Sequence, residues 1–180
     1  MTDITNLSTV NVAISNYIAV VTMNNPPVNA QNRQFHDDLT LVFDVLSDRN
    51  DVRSIVLTGA GKCFSAGADI KGRASQESDL GDHWVHSRRV RECFYAIMEC
   101  RKPVIAAING AALGAGLAVA ASADILIASE SASVGLPEIN VGLLGGGRHA
   151  MRLFSHSKTR RLMLTGQRLS GAELYRLGVV

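Results

Sequence analysis

Apolar and polar positions alternate in short blocks along this chain, and the period changes from block to block. Residues 10–23, "VNVAISNYIAVVTM", hold two β-branched runs around Ser15 and Asn16, which predicts a β-hairpin. Pro26 and Pro27 in "NNPPVNA" remove backbone donors from any ladder, so a loop follows. From Gln31 to about Ser47, Phe35, Leu39, Val42, Phe43 and Leu46 recur at helical spacing, opposite a charged outer face of Asp37, Asp38, Asp44 and Asp48. "VRSIVLT" (52–58), "PVIAAI" (103–108) and "DILIAS" (124–129) are short apolar runs and predict buried strands. A second amphipathic helix is expected from about His83 to Glu99, burying Val90, Cys93, Phe94, Ile97 and Met98.

Between these blocks lie segments of small or polar residues. "GAGKCFSAGAD" reads as loop and turn, and the polar stretch 72–84 as a mobile surface loop. "ALGAGLAVAASA" reads as a helix packed so closely that only small side chains fit, and "LPEINVGLLGGG" as irregular chain. "HAMRLF" and "SKTRRLMLTG" are expected to be helical, and the Ser170-x-x-Glu173 pattern is a capping box opening a last helix. Strands alternating with helices imply a single α/β domain over residues 1–180, with right-handed crossovers. The final Val179-Val180 pair reads as the first residues of a strand, so we expect this sequence to be a truncated piece of a longer protein.

The 180 residues are 47% hydrophobic and 19% charged, a globular balance that argues against disorder. A net charge of +2 gives no electrostatic case for nucleic acid or an anionic membrane. "AALGAGLAVAASA" is too short and too rich in small residues to span a bilayer. Cys63, Cys93 and Cys100 match no metal or redox spacing, which fits a reduced, cytoplasmic setting. The N-terminus has no basic region before an apolar run, so it is not a signal peptide.

Several motifs fail on inspection. A P-loop ending at Gly61-Lys62 needs glycine at position 56 and Ser or Thr at 63, where Val56 and Cys63 stand. A nominal dinucleotide fingerprint spans Gly145 to Ala150, but it follows no clear strand and has no acidic residue at the usual spacing. A nucleophile elbow around Ser65 lacks its first glycine, so Ser65 and Cys63 receive no catalytic role. His83 and His86 have no ligands to complete a metal set and read as exposed or capping residues. What remains is a pair of glycine-rich turns, "FSAGAD" and "NGAALGAGLA", each following an apolar run. Two such turns can aim free N–H groups at a developing oxyanion. Tight packing of helix on sheet accounts equally for their small residues.

These segments resemble the enoyl-CoA hydratase/isomerase, or crotonase, family. The markers are "NPPVNA", "SIVLTGAGKCFSAGADIK", "KPVIAAINGAALGAGLAVAASADILIAS", "ASVGLPEINVGL" and "TRRLMLTGQRLSGAELYRLGVV", in the family's order from about Val12 to Val180. The resemblance implies a spiral of repeated β-β-α units, here without the C-terminal helices that cover the acyl pocket in relatives. It implies acyl-CoA thioester substrates, with CoA as part of the substrate and no separate cofactor or metal, and assembly as a homotrimer or hexamer. It makes the N–H groups of Ala68 and Ala115 the oxyanion hole, and places Val28, Lys62, Ala66, Asp69 and Ile70 along the CoA. Gly114 joins the substrate-binding set, and Gly146 abuts the reacting end of the acyl chain.

The sequence also departs from the hydratase pattern. Of the two glutamates typical of hydratases, one position is Ala118 here and only the other, Glu138, is retained. A single carboxylate suits proton shuttling between two carbons, as in the family's enoyl-CoA isomerases, with hydration close behind. Glu138 then acts as the base, unless it is an ordinary exposed loop carboxylate. His149 either supplies a missing acid–base group or faces solvent. Glu77 and Asp79, in the loop bordering the acyl pocket of relatives, are further candidates for a second carboxylate. The competing reading is a non-catalytic acyl-CoA-binding or assembly module.

Overall fold

The computed structural model describes residues 3–70, 72 and 80–180. Strands β1 (Val10–Ser15) and β2 (Ile18–Met23) form the expected antiparallel hairpin. The turn between them is carried by Asn16 and Tyr17, both at positive φ, the backbone that matches strand twist. β2 continues in parallel into β4 (Ser54–Gly59), β7 (Val104–Ile108) and β9 (Ile125–Ala128), giving a five-stranded sheet. A second sheet holds β5 (Cys63–Ser65), β8 (Ala111–Leu113), β10 (Ser133–Gly135) and β11 (Arg168–Ser170). A two-stranded pair joins β3 (Ala30–Gln31) to β6 (Gly67–Ala68).

The chain therefore winds in repeats: a strand in the first sheet, a strand in the second, then a helical segment. β4 and β5 precede helix α2 (Leu80–Met98), and β7 and β8 precede α3 (Ala115–Ala120). β9 and β10 precede a 3-10 segment (Pro137–Val141) and a short helix, α4 (Gly147–Ala150). Helices α5 (His156–Thr165) and α6 (Gly171–Arg176) follow. This is the β-β-α repetition expected above.

Helix α1 (Arg33–Asp48) starts where its cap allows: the Asn32 side chain accepts from Phe35 N–H at 2.9 Å. It buries Phe35, Leu39, Val42, Phe43 and Leu46 as its spacing predicts. Two of its polar residues are also inside. Asp38 is not on the outer face: it is buried and accepts from both the N–H and the hydroxyl of Thr9, at 2.9 and 2.8 Å. His36 is 2% exposed and meets His86 of α2 edge to face. His86 is thus half-buried against α1 and not an exposed residue, whereas His83 is exposed.

Four further expectations are corrected. "ALGAGLAVAASA" is not one helix: β8 reaches Leu113, Gly114 turns the chain, and α3 begins at Ala115. "GAGKCFSAGAD" is not all loop and turn: it contains β5 and β6, because parallel neighbours β8 and β3 take up its backbone groups. "HAMRLF" keeps only one helical turn, α4, and continues as turn to Phe154. Val179 and Val180 form no strand; they pack against the core, with Val179 N–H bonded to Leu174 O. The capping box is half made, since Ser170 Oγ accepts from Glu173 N–H while the Glu173 carboxylate pairs with Arg176 and Lys158.

Candidate active site

The two glycine turns meet. Gly67, at φ +91°, lies so close to the second turn that a Cβ there would fall 2.5 Å from Leu113 O and 3.2 Å from Ala115 N. No side chain fits, and the positive φ itself favours glycine. Ala68 pairs with Gln31, and Asp69 N–H donates to Gln31 O at 3.0 Å. Strand alternation therefore turns the Ala68 N–H away from β3.

Ala115 is the first residue of α3, and the first intrahelical bond runs from Ala118 N–H to Gly114 O at 3.1 Å. The Ala115 N–H thus has no partner within its helix. Ala115 as a whole is half-buried. Gly114, at φ +56°, is held by its own N–H donating to Gly135 O at 2.9 Å.

Glu138 arrives from the third repeat. It is the second residue of the 3-10 segment, and the N–H of Leu143, two residues beyond that segment, bonds back to Glu138 O at 3.0 Å. A Cβ on Gly114 would lie 2.9 Å from Glu138 Oε1, and one on Gly146 would lie 3.7 Å from the same oxygen. The carboxylate thus stands between Gly114 and Gly146, next to the start of α3. Its Oε2 is buried with no hydrogen-bond partner among the described residues. Burial pushes the Glu138 carboxyl above the usual carboxylate range, and a backbone hydrogen bond pulls only partly the other way. Glu138 is therefore not an ordinary exposed loop carboxylate.

The remaining candidates divide. Val28, Lys62, Ala66 and Ile70 are all exposed, and Ala66 N–H donates to Val28 O at 3.0 Å, which links the two loops that carry them. Asp69 is half-buried and accepts from Gly72 N–H at 3.0 Å. Ala118 is 1% exposed, one turn along α3 from Ala115, so the position of the absent glutamate is an enclosed methyl. His149 does not simply face solvent. Its ring packs edge-on against Phe94 at 4.7 Å, and Nδ1 is buried with no hydrogen-bond partner among the described residues. Burial, then the Arg152 and Arg148 charges, hold its pKa below the usual value. Glu77 and Asp79 lie outside the described residues. The nominal dinucleotide fingerprint follows the 3-10 segment rather than a strand. Among the described residues no His/Cys/Asp/Glu group is arranged to hold a metal, and no helix is long and apolar enough to cross a membrane.

Sequence reasoning missed the polar residues beneath the first turn. Asn29, 2% exposed and at φ +53°, donates its side-chain amide to Ala60 O, Cys63 O and Phe64 O. Ser65 is fully buried and donates to Asn29 O at 2.7 Å. Asn109 reaches Gly59 O and Gly61 O at 2.9 and 3.0 Å. The available signal was the presence of Asn and Ser beside small residues, where their short side chains substitute for backbone partners.

The chain is similar in sequence and fold to known proteins. Residues 13–180 match the family described as Enoyl-CoA hydratase/isomerase. A probable enoyl-CoA hydratase of Bacillus subtilis is 37% identical over 177 residues, covering 97% of this chain and 68% of the relative. The Mycobacterium tuberculosis (7aS)-7a-methyl-1,5-dioxo-2,3,5,6,7,7a-hexahydro-1H-indene-carboxyl-CoA hydrolase is 36% identical, covering 91% of this chain and 66% of that protein. Among solved structures, Pseudomonas aeruginosa DspI superimposes with a TM-score of 0.87 at 34% identity, over 96% of this chain and 72% of that one. A Legionella pneumophila structure described as a "putative enoyl CoA hydratase/isomerase (crotonase)" gives 0.90 at 29% identity, over 97% and 69%. This chain thus spans about two thirds of the length of such relatives. With residues 13–180 matched and the β-β-α repeats in place, the chain belongs to the enoyl-CoA hydratase/isomerase, or crotonase, family of enzymes.

Proposed function

We propose that this protein acts on acyl-CoA thioesters by stabilising a thioester enolate, with the N–H groups of Ala68 and Ala115 as oxyanion donors and Glu138 as the proton-transfer base. The observation that carries this reading is the position of Glu138: its Oε1 lies beside Gly114, the residue before Ala115, while Oε2 is buried and unpartnered. A carboxylate removes a proton from the carbon next to the thioester carbonyl, and the electron pair moves onto the carbonyl oxygen. Two N–H donors aimed at that oxygen stabilise its charge; losing one such donor typically costs about 3–4 kcal/mol. A carboxyl raised by burial is a stronger base than an exposed one.

Ala118 directs the choice of reaction. With a methyl where a second carboxylate would stand, one group is left to move the proton. In a 3-enoyl thioester Glu138 takes a proton from C2 and returns it at C4, shifting the double bond to C2–C3. Hydration is the second reading, favoured by the description of the Bacillus relative as a probable enoyl-CoA hydratase. It needs another group to hold and split water. Val28, Lys62, Ala66, Asp69 and Ile70 border the CoA in this reading, and Gly114 and Gly146 border the acyl end. We extend the proposal to a homotrimer or hexamer, which light scattering tests.

The deciding experiment supplies 2-enoyl-CoA and 3-enoyl-CoA separately and identifies the products. Double-bond migration supports isomerisation, and a 3-hydroxyacyl product supports hydration. Ala68→Pro deletes the proposed donor and is expected to abolish turnover, whereas Ala68→Gly retains it. Unchanged turnover in Glu138→Gln removes Glu138 from the mechanism. Tight thioester binding without turnover of either substrate favours a non-catalytic binding module.

A further inference from the structure

We infer that the buried pair Gln31 and Ser65 sets the position of the Ala68 N–H relative to that of Ala115, and so acts as the positioning element of the proposed oxyanion hole. This rests on the enolate reading above.

Gln31 touches both sides of Ala68. Its backbone O accepts from Asp69 N–H at 3.0 Å, one residue after Ala68. Its side-chain Nε2 donates to Ser65 Oγ at 3.2 Å. The same Oγ accepts from Gly67 N–H at 3.3 Å, one residue before Ala68. The N–H groups flanking Ala68 are thus tied to one residue, directly on one side and through one hydroxyl on the other. That hydroxyl is fixed in turn, since it donates to Asn29 O at 2.7 Å.

Ser65 also touches the second turn. A Cβ on Gly116 would fall 2.2 Å from Ser65 O and 3.0 Å from Ser65 Cβ, so the first turn of α3 rests directly on the Ser65 backbone. Gly116 immediately follows Ala115. One residue therefore contacts the neighbour of each proposed donor.

The chemistry of the pair argues for placement over packing. Gln31 is 2% exposed, and its Oε1 is buried with no partner among the described residues. An amide with one orphaned atom is a poorer contribution to a core than an aliphatic side chain of similar volume. What the amide does supply is a donor at Ser65 Oγ. A serine with two donors aimed at it must send its own proton to Asn29 O, and this leaves Oγ oriented as the acceptor for Gly67 N–H.

The test uses the whole chain with Ser65→Ala and Gln31→Met, read in two ways. Steady-state kinetics on the accepted enoyl-CoA should show kcat falling roughly 10- to 100-fold with KM changed less than about threefold, the effect of a misplaced donor. The infrared stretching frequency of a bound thioester carbonyl should move down on binding to the wild type, and move less in both variants. A merely structural role would lower thermal stability without altering that frequency. If the wild-type carbonyl does not shift on binding, the oxyanion reading itself fails. A wild-type shift that both folded variants reproduce in full, with kcat unchanged, overturns this inference alone. Should Ser65→Ala fail to fold, Gln31→Met decides by the same criteria, because it leaves the serine and its bond to Asn29 in place.

Discussion

Glu138 Oε1 occupies the space that a side chain on Gly114 would need, with only 2.9 Å between the oxygen and a Cβ at that position. A residue at the start of α3 and a carboxylate from the next repeat are thereby coupled. Gly114→Ala would push the carboxylate aside and place a side chain at φ +56°. We expect a loss of about 1–3 kcal/mol in stability from the backbone alone. Turnover should fall about 100-fold, more than that loss explains, as equilibrium denaturation and kcat on the same sample will show.

Glu138→Gln keeps the shape and removes the base. Turnover should drop roughly 100- to 10,000-fold with thioester affinity retained. The pH profile gives a second readout. Burial raises the folded-state pKa, so the acid limb of kcat/KM in the wild type should lie above the ordinary carboxylate range. Between the unfolded and folded pKa values the native state holds more protons than the unfolded one, so this group makes stability fall as pH rises. That dependence should vanish in Glu138→Gln, which melting curves over the acid range will test.

His36 has the opposite sign. Burial, helped by the His86 charge, lowers its pKa from 6.5 to about 4, with Asp37 opposing and Arg89 reinforcing the shift. Asp37 is itself paired with Arg89 across the α1–α2 interface. The unfolded chain protonates this histidine first, so stability is full above about 6.5 and declines as pH falls towards about 4. The loss approaches roughly 3 kcal/mol at most. His36→Phe should flatten the decline, and urea unfolding at pH 7 and pH 4.5 will measure it.

Gly116→Ala should be more damaging than its chemistry suggests. A Cβ 2.2 Å from Ser65 O cannot be accommodated without moving backbone, because both partners are buried. We expect a cost of about 3 kcal/mol or more. By contrast, Gly142→Ala has open space around it and should lose only the cost of its positive φ, about 1 kcal/mol. The two melting temperatures, compared directly, separate steric exclusion from backbone preference.

Much of this was legible in the chain. The spacing of Phe35, Leu39, Val42, Phe43 and Leu46 determined α1, and the apolar runs determined β4 and β7, because burial of a face imposes its own period. The run 124–129 does form β9, but it is not the buried strand expected: β9 is the edge of its sheet, with Ile125 and Ile127 exposed. The five ordered segments identified the family, and with it the candidates Ala68, Ala115 and Glu138. Sequence by itself could not assign β5, β6 or β8, since strands of two or three residues carry no period and exist only because a neighbour takes up their hydrogen bonds. It put Asp38 outside and passed over His36, because a polar residue is admitted to a core by partners distant in the chain, here Thr9 and His86. The meeting of Gly67 with Ala115, and of Glu138 with Gly114, was likewise a decision of the tertiary structure. Those contacts join residues 24 to 48 positions apart, and only the winding of successive β-β-α repeats brings them to one place.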